Sequence, residues 1–387
     1  MGMKKLSILL IAILSLSLLF GCQGNANNSS IENSSDADIS GGGSSLADSA
    51  DSGLSLDSQF SQTSNSGTQS NGTALGIKDY FAYKADTKYT YDGKGNEFAA
   101  YTVFVDYIDG TTAQTRTNNG GTEMVRVIAA GDGALTLKLS KGECYYRENF
   151  LKATASLNEV LLKEPLQKGT SWTVSNNRKR YISGVDISIT TPSGTYNTIE
   201  VTTEGSSPGN DKNMDYYAPE VGLVKSVFGT GADEITSTLA KVESDTPLKQ
   251  TVTFYYPDGS TDKIYYVERT LSFNTNDITR AVFESNFKNV PSGVSGKVLG
   301  PNVKIKSLYL NADKMVYVDF SKELVPEMNA GSGYEAMILQ CITNTLGKYY
   351  GIDKVYITIE GKPYSSGHIA KKVGEYFKVD TTGNVKL

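Results

Sequence analysis

The chain has few of the residues from which most catalytic and metal centres are built. It holds one histidine, one tryptophan and three cysteines among 387 residues. A single His368 rules out zinc sites of the His-rich kind. It also leaves Cys144 and Cys341 without an evident histidine base to activate them. With Gly367 beside it and no partner in the pattern, His368 reads as an exposed side chain near the chain end. Three cysteines make a disulfide framework a poor reading, and Cys341, on the apolar side of a helical pattern, reads as a buried free thiol. Basic residues are absent between Lys5 and Lys78, and the net charge is −5. Arg178-Lys-Arg180 and Lys371-Lys372 are short clusters that read as solvated faces, so no nucleic-acid partner is expected.

The motifs that remain fall short of chemistry. Ser260-Thr-Asp-Lys263 has the Ser-x-x-Lys spacing, but it sits in turn-forming sequence and no Lys-Thr-Gly accompanies it. Gly331-Ser-Gly333 precedes a helical pattern and could cradle an anion, yet it lacks the lysine of a phosphate loop. Asp319, between Val318 and Phe320, is a candidate general acid or metal ligand. Without a second carboxylate at matching spacing, it is expected to accept backbone N–H groups of a loop such as Ser321–Glu323. The reading is a non-enzyme with no catalytic, cofactor-binding or metal residue.

At the start, Lys4-Lys5 precede an uncharged run, Leu6 to Phe20, that is too short for an ordinary spanning helix and has the proportions of a signal peptide over 1–21. It ends in Leu19-Phe-Gly-Cys22, which resembles the lipobox of bacterial lipoproteins. The resemblance implies cleavage before Cys22, acyl chains of the palmitate type on that residue, and attachment to the outer face of the cell membrane. Residues 22–77 are rich in Ser, Gly and Asn, acidic, and too poor in apolar groups to offset chain entropy. They are expected to act as a disordered tether with a root-mean-square reach of about 40 Å.

From 78 to 246 the pattern is strand-like. Phe98–Ile108, Met124–Ile128, Ala134–Leu139, Ser171–Val174, Val185–Thr191, Thr195–Thr202 and Gly222–Phe228 alternate or run apolar. Turn signals such as Asp109-Gly110, Asp132-Gly133 and Pro192-Ser-Gly194 separate them, which predicts an antiparallel sheet that is curved or barrel-like. Asn158–Lys163 suits one helical turn or an edge strand, and Trp172 a core anchor. Tyr216-Tyr-Ala-Pro-Glu-Val-Gly-Leu-Val-Lys225 resembles a segment of extracytoplasmic β-rich lipoprotein domains, which usually carry Gly where Glu220 stands. Thr102–Gly110 echoes Thr251–Gly259, but no capped helix follows it, so no repeat is inferred.

The C-terminal third reads as strand, strand, helix, strand, strand, helix, strand. Val252–Tyr256 and Lys263–Phe273 flank Pro257-Asp-Gly259 as a hairpin. Asn276 is placed to cap a helix with Ile278, Val282 and Phe287 inward. Val303–Leu310 and Met315–Phe320 form a second strand pair. Ser332 and Glu335 suggest a capping box ahead of Ile338, Cys341, Ile342 and Leu346, and Lys354–Ile359 closes the pattern. Such an order suits an α+β sheet with two helices on one face. Phe254-Tyr-Tyr-Pro-Asp-Gly259, Val318-Asp-Phe-Ser-Lys322, Gly333-Tyr-Glu-Ala336, Thr345-Leu346 and Gly361-Lys362 together resemble the GerMN domain of spore-germination and sporulation lipoproteins, over 250–365. Asn289-Val-Pro291 departs from the family's usual Gly-Pro, and one copy is present where relatives often carry two. Residues 366–387 form a C-terminal extension.

The resemblance implies a lipid-anchored interaction module at the cell or spore envelope. Envelope or sporulation proteins, or peptidoglycan, would be its partners, through a helix face or an exposed strand edge. Two alternatives stand beside it: a cell-wall-acting enzyme, and a carrier of a small ligand or lipid in the β-rich block. The 24 tyrosines add the idea of stacking on sugar rings.

Overall fold

Alternating β-branched and aromatic residues, broken by Gly-containing turns, build a long antiparallel meander. The computed structural model describes residues 75–205 and 212–387. The leader, Cys22 and nearly all of the tether lie outside the described residues. The meander comprises β1 (Lys88–Lys94), β2 (Tyr101–Asp109), β3 (Thr112–Asn118), β4 (Glu123–Gly131), β5 (Ala134–Gly142), β6 (Glu159–Lys163), β7 (Ser171–Thr173), β8 (Lys179–Thr191), β9 (Gly194–Thr203), β10 (Asn213–Ala218), β11 (Gly222–Phe228) and β12 (Ile235–Glu243). These form one sheet in the order β6-β5-β4-β3-β2-β1-β12-β11-β10-β9-β8-β7. The first and last strands meet in its middle, with Lys88 opposite Glu243.

The sheet curls into a nearly closed barrel, as the pattern predicts. Its seam is bridged by side chains. Trp172 Nε1 and Arg180 Nη1 both donate to the Val160 carbonyl, at 2.9 and 2.7 Å, and Arg180 Nη2 reaches Glu159 Oε1 at 2.9 Å. Trp172 is thus the core anchor expected of it, packed with Ile128, Leu162, Ile182 and Val201. Asn158–Lys163 resolves as the edge strand. The one-turn helix Ile77–Tyr80 packs into the same cluster and is held by Ile77 N–H donating to Glu164 Oε1 at 2.7 Å. Glu220, where similar segments carry Gly, has φ of +63°, a left-handed conformation that costs a residue with a Cβ.

The C-terminal part follows the predicted order, with one added helical turn: β13 (Leu248–Asp258), β14 (Lys263–Phe273), α1 (Thr279–Lys288), β15 (Ile305–Leu310), β16 (Val316–Phe320), α2 (Leu324–Met328), α3 (Ser332–Tyr350) and β17 (Lys354–Ile359). Its strands divide between two sheets, where a single sheet is expected. The β13–β14 hairpin gains a parallel partner, β20 (Val385–Lys386), from the chain end. The other sheet runs β15-β16-β17-β18 (β18, Lys362–Pro363), and β19 (Phe377–Lys378) pairs with the start of β17. α3 packs against both sheets, touching β13 as well as β16, β17 and β19.

Asn276 does not cap α1. It has φ of +70°, and its side-chain amide exchanges two hydrogen bonds with the Ile108 backbone on the barrel. The helix therefore starts at Thr279, and Thr279, Phe283 and Phe287 face inward while Ile278 is exposed.

Barrel and C-terminal part form one compact unit, Leu75–Leu387. The segment after β5 makes the joint. Cys144 and Tyr146 belong to the same buried cluster as Phe254, Phe283 and Cys341, and both cysteines are free. Asp106 on β2 and Arg116 on β3 are buried and paired at 3.0 Å. Arg116 also bonds Glu123 Oε2 at 2.8 Å, the Tyr146 carbonyl at 2.8 Å and the Cys144 carbonyl. Arg147, equally buried, donates to the Asp106 and Asn274 carbonyls at 2.8 and 3.1 Å, to the Asp277 carbonyl, and to Tyr107. It joins a barrel strand to the entry of α1.

Two outcomes follow from these features. Arg116→Met leaves the Asp106 carboxylate buried without its partner and should cost about 3–5 kcal/mol, read as a fall in urea midpoint. Glu220→Gly relieves the left-handed conformation and should add about 1 kcal/mol, read as a higher midpoint in the same assay.

Candidate functional site

The N-terminal turn of α3 departs most from expectation. Its N-cap is Gly331, with no side-chain capping bond, and Glu335 does not reach back to form a capping box. Glu335 is instead buried, at 3% exposure, and gathers three donors from the segment beyond β18. Tyr364 OH lies 2.8 Å and Ser366 Oγ 2.5 Å from Oε1, and His368 Nδ1 lies 2.9 Å from Oε2. His368 is exposed, as expected, but it is paired with Glu335, a partner the pattern does not show. The missed signal is Tyr364-Ser-Ser-Gly-His368, whose Ser and Gly are turn chemistry that folds three polar side chains toward one acceptor.

Serine, histidine and glutamate together suggest a nucleophilic triad, but the bonding is that of a clasp. Ser366 Oγ gives its proton to Glu335 and accepts the backbone N–H groups of His368 and Ile369, both at 3.0 Å. A nucleophile would instead bond the distal imidazole nitrogen of the base. Burial pushes the Glu335 pKa up, and the bonds from Ser366, His368 and Tyr364 more than offset this, holding it below the ordinary value. The clasp fastens the C-terminal extension to α3. Farther along, Asn344 takes the Asp380 backbone at both its carbonyl and its N–H, at 2.6 and 2.9 Å, and Leu387 N–H donates to the Tyr266 carbonyl at 3.0 Å.

The remaining sequence candidates fall to structural roles. Asp319 Oδ1 accepts Thr358 Oγ1 at 2.6 Å and Gly361 N–H at 2.8 Å, so it fixes the β17–β18 turn and not the Ser321–Glu323 loop. Ser260 caps the hairpin turn by donating to Asp258 from both its N–H and its hydroxyl. Among the described residues, no group of three or more His, Cys, Asp or Glu is arranged to hold a metal ion.

Surface for a partner is limited. From Cys341 to Gly347 every residue of α3 is buried, so the helix offers no free face there. The β15 edge is blunted, because the N–H groups of Ile305 and Leu310 go to Glu284 and Glu148 at 2.9 and 3.2 Å. What stays open is part of one face of the β15–β17 sheet, where Tyr309 is exposed, Tyr317 half-buried and Tyr356 buried. Val316, Val318, Val355 and Ile357 point into the core, and the alternate positions carry Tyr309, Tyr317 and Tyr356 directly opposite one another. Their ring centroids are 5.5 and 4.9 Å apart, with the first pair stacked at 24°. With its ring against Tyr309 and Tyr356 and its hydroxyl donated to Asp313 at 2.7 Å, Tyr317 has little ring face left for stacking on sugars.

Residues 253–365 match the family model described as "Germane: Sporulation and spore germination". This chain carries a GerMN domain. Solved structures include the first GerMN domain of the sporulation protein GerM from Bacillus subtilis, 22% identical, covering 33% of this chain and 97% of that one at a TM-score of 0.27. The tandem GerMN domains of the same protein are 23% identical, covering 35% of this chain and 48% of that one at 0.28. Scores this low add nothing to the family match. No curated protein matches the chain. The clasp thus joins Glu335 and Tyr364, inside the matched GerMN segment, to Ser366 and His368, beyond it.

Because Glu335 is held below its usual value, its ionised form contributes stability that is complete above about pH 4.5 and lost as pH falls through the lower folded value. Glu335→Gln should lower stability at neutral pH by about 1–3 kcal/mol and flatten the acid limb of the urea midpoint plotted against pH.

Proposed function

We propose that this protein is a lipid-anchored, non-enzymatic component of the cell or spore envelope whose GerMN domain makes contacts within a sporulation or germination assembly. The observation that carries the proposal is the family match over 253–365, on a chain that opens with a lipobox-like Leu19-Phe-Gly-Cys22. Among the described residues no helix is long and apolar enough to cross a membrane. Attachment would rest on Cys22, where two or more acyl chains anchor stably and one does so only marginally.

The face carrying exposed Tyr309 and half-buried Tyr317 is the contact surface this reading favours, with a protein as partner. The barrel, locked to the GerMN domain through Arg147, would be carried with it as a second docking body. A wall-acting enzyme would need carboxylates converging on a cleft, whereas Asp258, Asp319 and Glu335 are each committed to neighbouring donors.

The test places Cys22→Ser, and a photo-crosslinking residue at 309 or 317, in the full chain in producing cells. Cys22→Ser should move the protein to the soluble fraction. Crosslinking from 309 or 317 should trap a protein that a control position, Lys138 on the barrel, does not. Membrane retention of the serine variant, or equal trapping from all three positions, would overturn the proposal.

A further inference from the structure

Inside the barrel lies a cavity of about 70 Å3. A single water needs roughly 10–15 Å3, and a drug-sized ligand 300 Å3 or more. The space therefore admits a few waters or one small ion, and excludes an acyl chain as it stands. Its chemistry is one-sided. Arg126, on β4 opposite Thr115 and Ser140, reaches into it. Among the described residues, Arg126 has no ion-pair or hydrogen-bond partner, and its Nε is fully enclosed and unpaired. Arg116, Arg147 and Arg180, buried in the same wall, each bond an acid or several carbonyls, whereas buried Arg178 makes one long bond to the Ser175 carbonyl.

The other groups at the cavity are donors. Tyr83, Tyr101, Thr115 and Thr117 line it, and none of their hydroxyls has a partner among the described residues. Burial raises the pKa of Tyr83 and of Tyr101, so both stay neutral phenols able to donate. Tyr89 and Tyr91, on the same wall, spend their hydroxyls on the Ala82 and Leu223 carbonyls, both at 2.7 Å. Asp215 is an opposing charge that feels Arg126. Its carboxylate is taken by Ser226 Oγ and Asn213 Nδ2, each at 2.7 Å, and it makes no ion pair with Arg126.

Arg126 is half-buried, and its enclosed Nε–H is costly without an acceptor unless something pairs with it. We propose that this cavity is a binding site for a small oxyanion, a carboxylate head group or inorganic phosphate, held by the Arg126 guanidinium with Tyr83, Tyr101, Thr115 and Thr117 as further donors. Entry would be past the Ala82-Tyr83 segment and the Val221–Leu223 turn, which rim the cavity. Arg126 brings a fixed positive charge and donors only, so an anion gains more there than a neutral or cationic ligand of the same size.

The test is a thermal-shift and calorimetric titration of the full chain with sodium acetate, sodium phosphate and sodium chloride at matched ionic strength. Alongside it, the Arg126 Nε–H resonance is followed by NMR. A rise in Tm with acetate alone assigns a carboxylate head group, and a rise with phosphate assigns the inorganic ion; either supports the site. Arg126→Met should weaken the binding at least about tenfold, the worth of one charge-assisted bond. Should that variant fail to fold, Tyr101→Phe should weaken it less, and the shift of the Nε–H resonance in the unsubstituted protein decides the matter. Equal Tm in all three salts, with an unmoved resonance, would mean that the cavity holds water only and would overturn the proposal.

Discussion

The structure depends on a buried pairing of charges at the root of the barrel. Asp106 accepts from Arg116, and Arg147 beside them hands its remaining donors to carbonyls on both the barrel and the approach to α1. Buried ions are costly to desolvate, so such a group adds little net stability unless every lone pair and proton is spoken for. Here nearly all are, by backbone carbonyls that no small shift could keep in reach. The return is in geometry: the barrel and the GerMN domain have one register against each other. Asp86 and Thr275 reinforce it by exchanging backbone and side-chain bonds at 2.8 and 2.6 Å.

Much of this was legible beforehand. Runs such as Met124–Ile128 and Thr195–Thr202 declare strands because one face is apolar, and the order of elements from Thr251 onward follows from periodicity and turn residues. The misses share a physical origin. β3 reads Thr-Ala-Gln-Thr-Arg-Thr-Asn, with no apolar stripe, yet Gln114 and Arg116 are fully buried in it. Sequence pattern assumes that inward positions are greasy, and it fails where inward polar groups are satisfied by distant partners. The same holds for Asn276 and Glu335. Each carries a sound local capping signal, and each is diverted by a partner far along the chain.

The extension after the GerMN domain shows how a matched segment can differ in accessible surface from its relatives. Glu335, Gln340 and Asn344, distributed around and along α3, each hold a part of it. Gly347 allows its close approach, since a Cβ there would sit 2.3 Å from Val379. The helix that sequence alone offers as a contact face is occupied by the chain's own end, and the aromatic sheet face is what remains.

The meeting of β1 and β12 in the middle of the sheet has a consequence for connectivity. Chain enters the barrel at Lys88 and leaves it at Glu243, and these residues stand across from each other. The barrel therefore hands the chain on at the place where it took it up, and a short linker in its stead would join the same two ends.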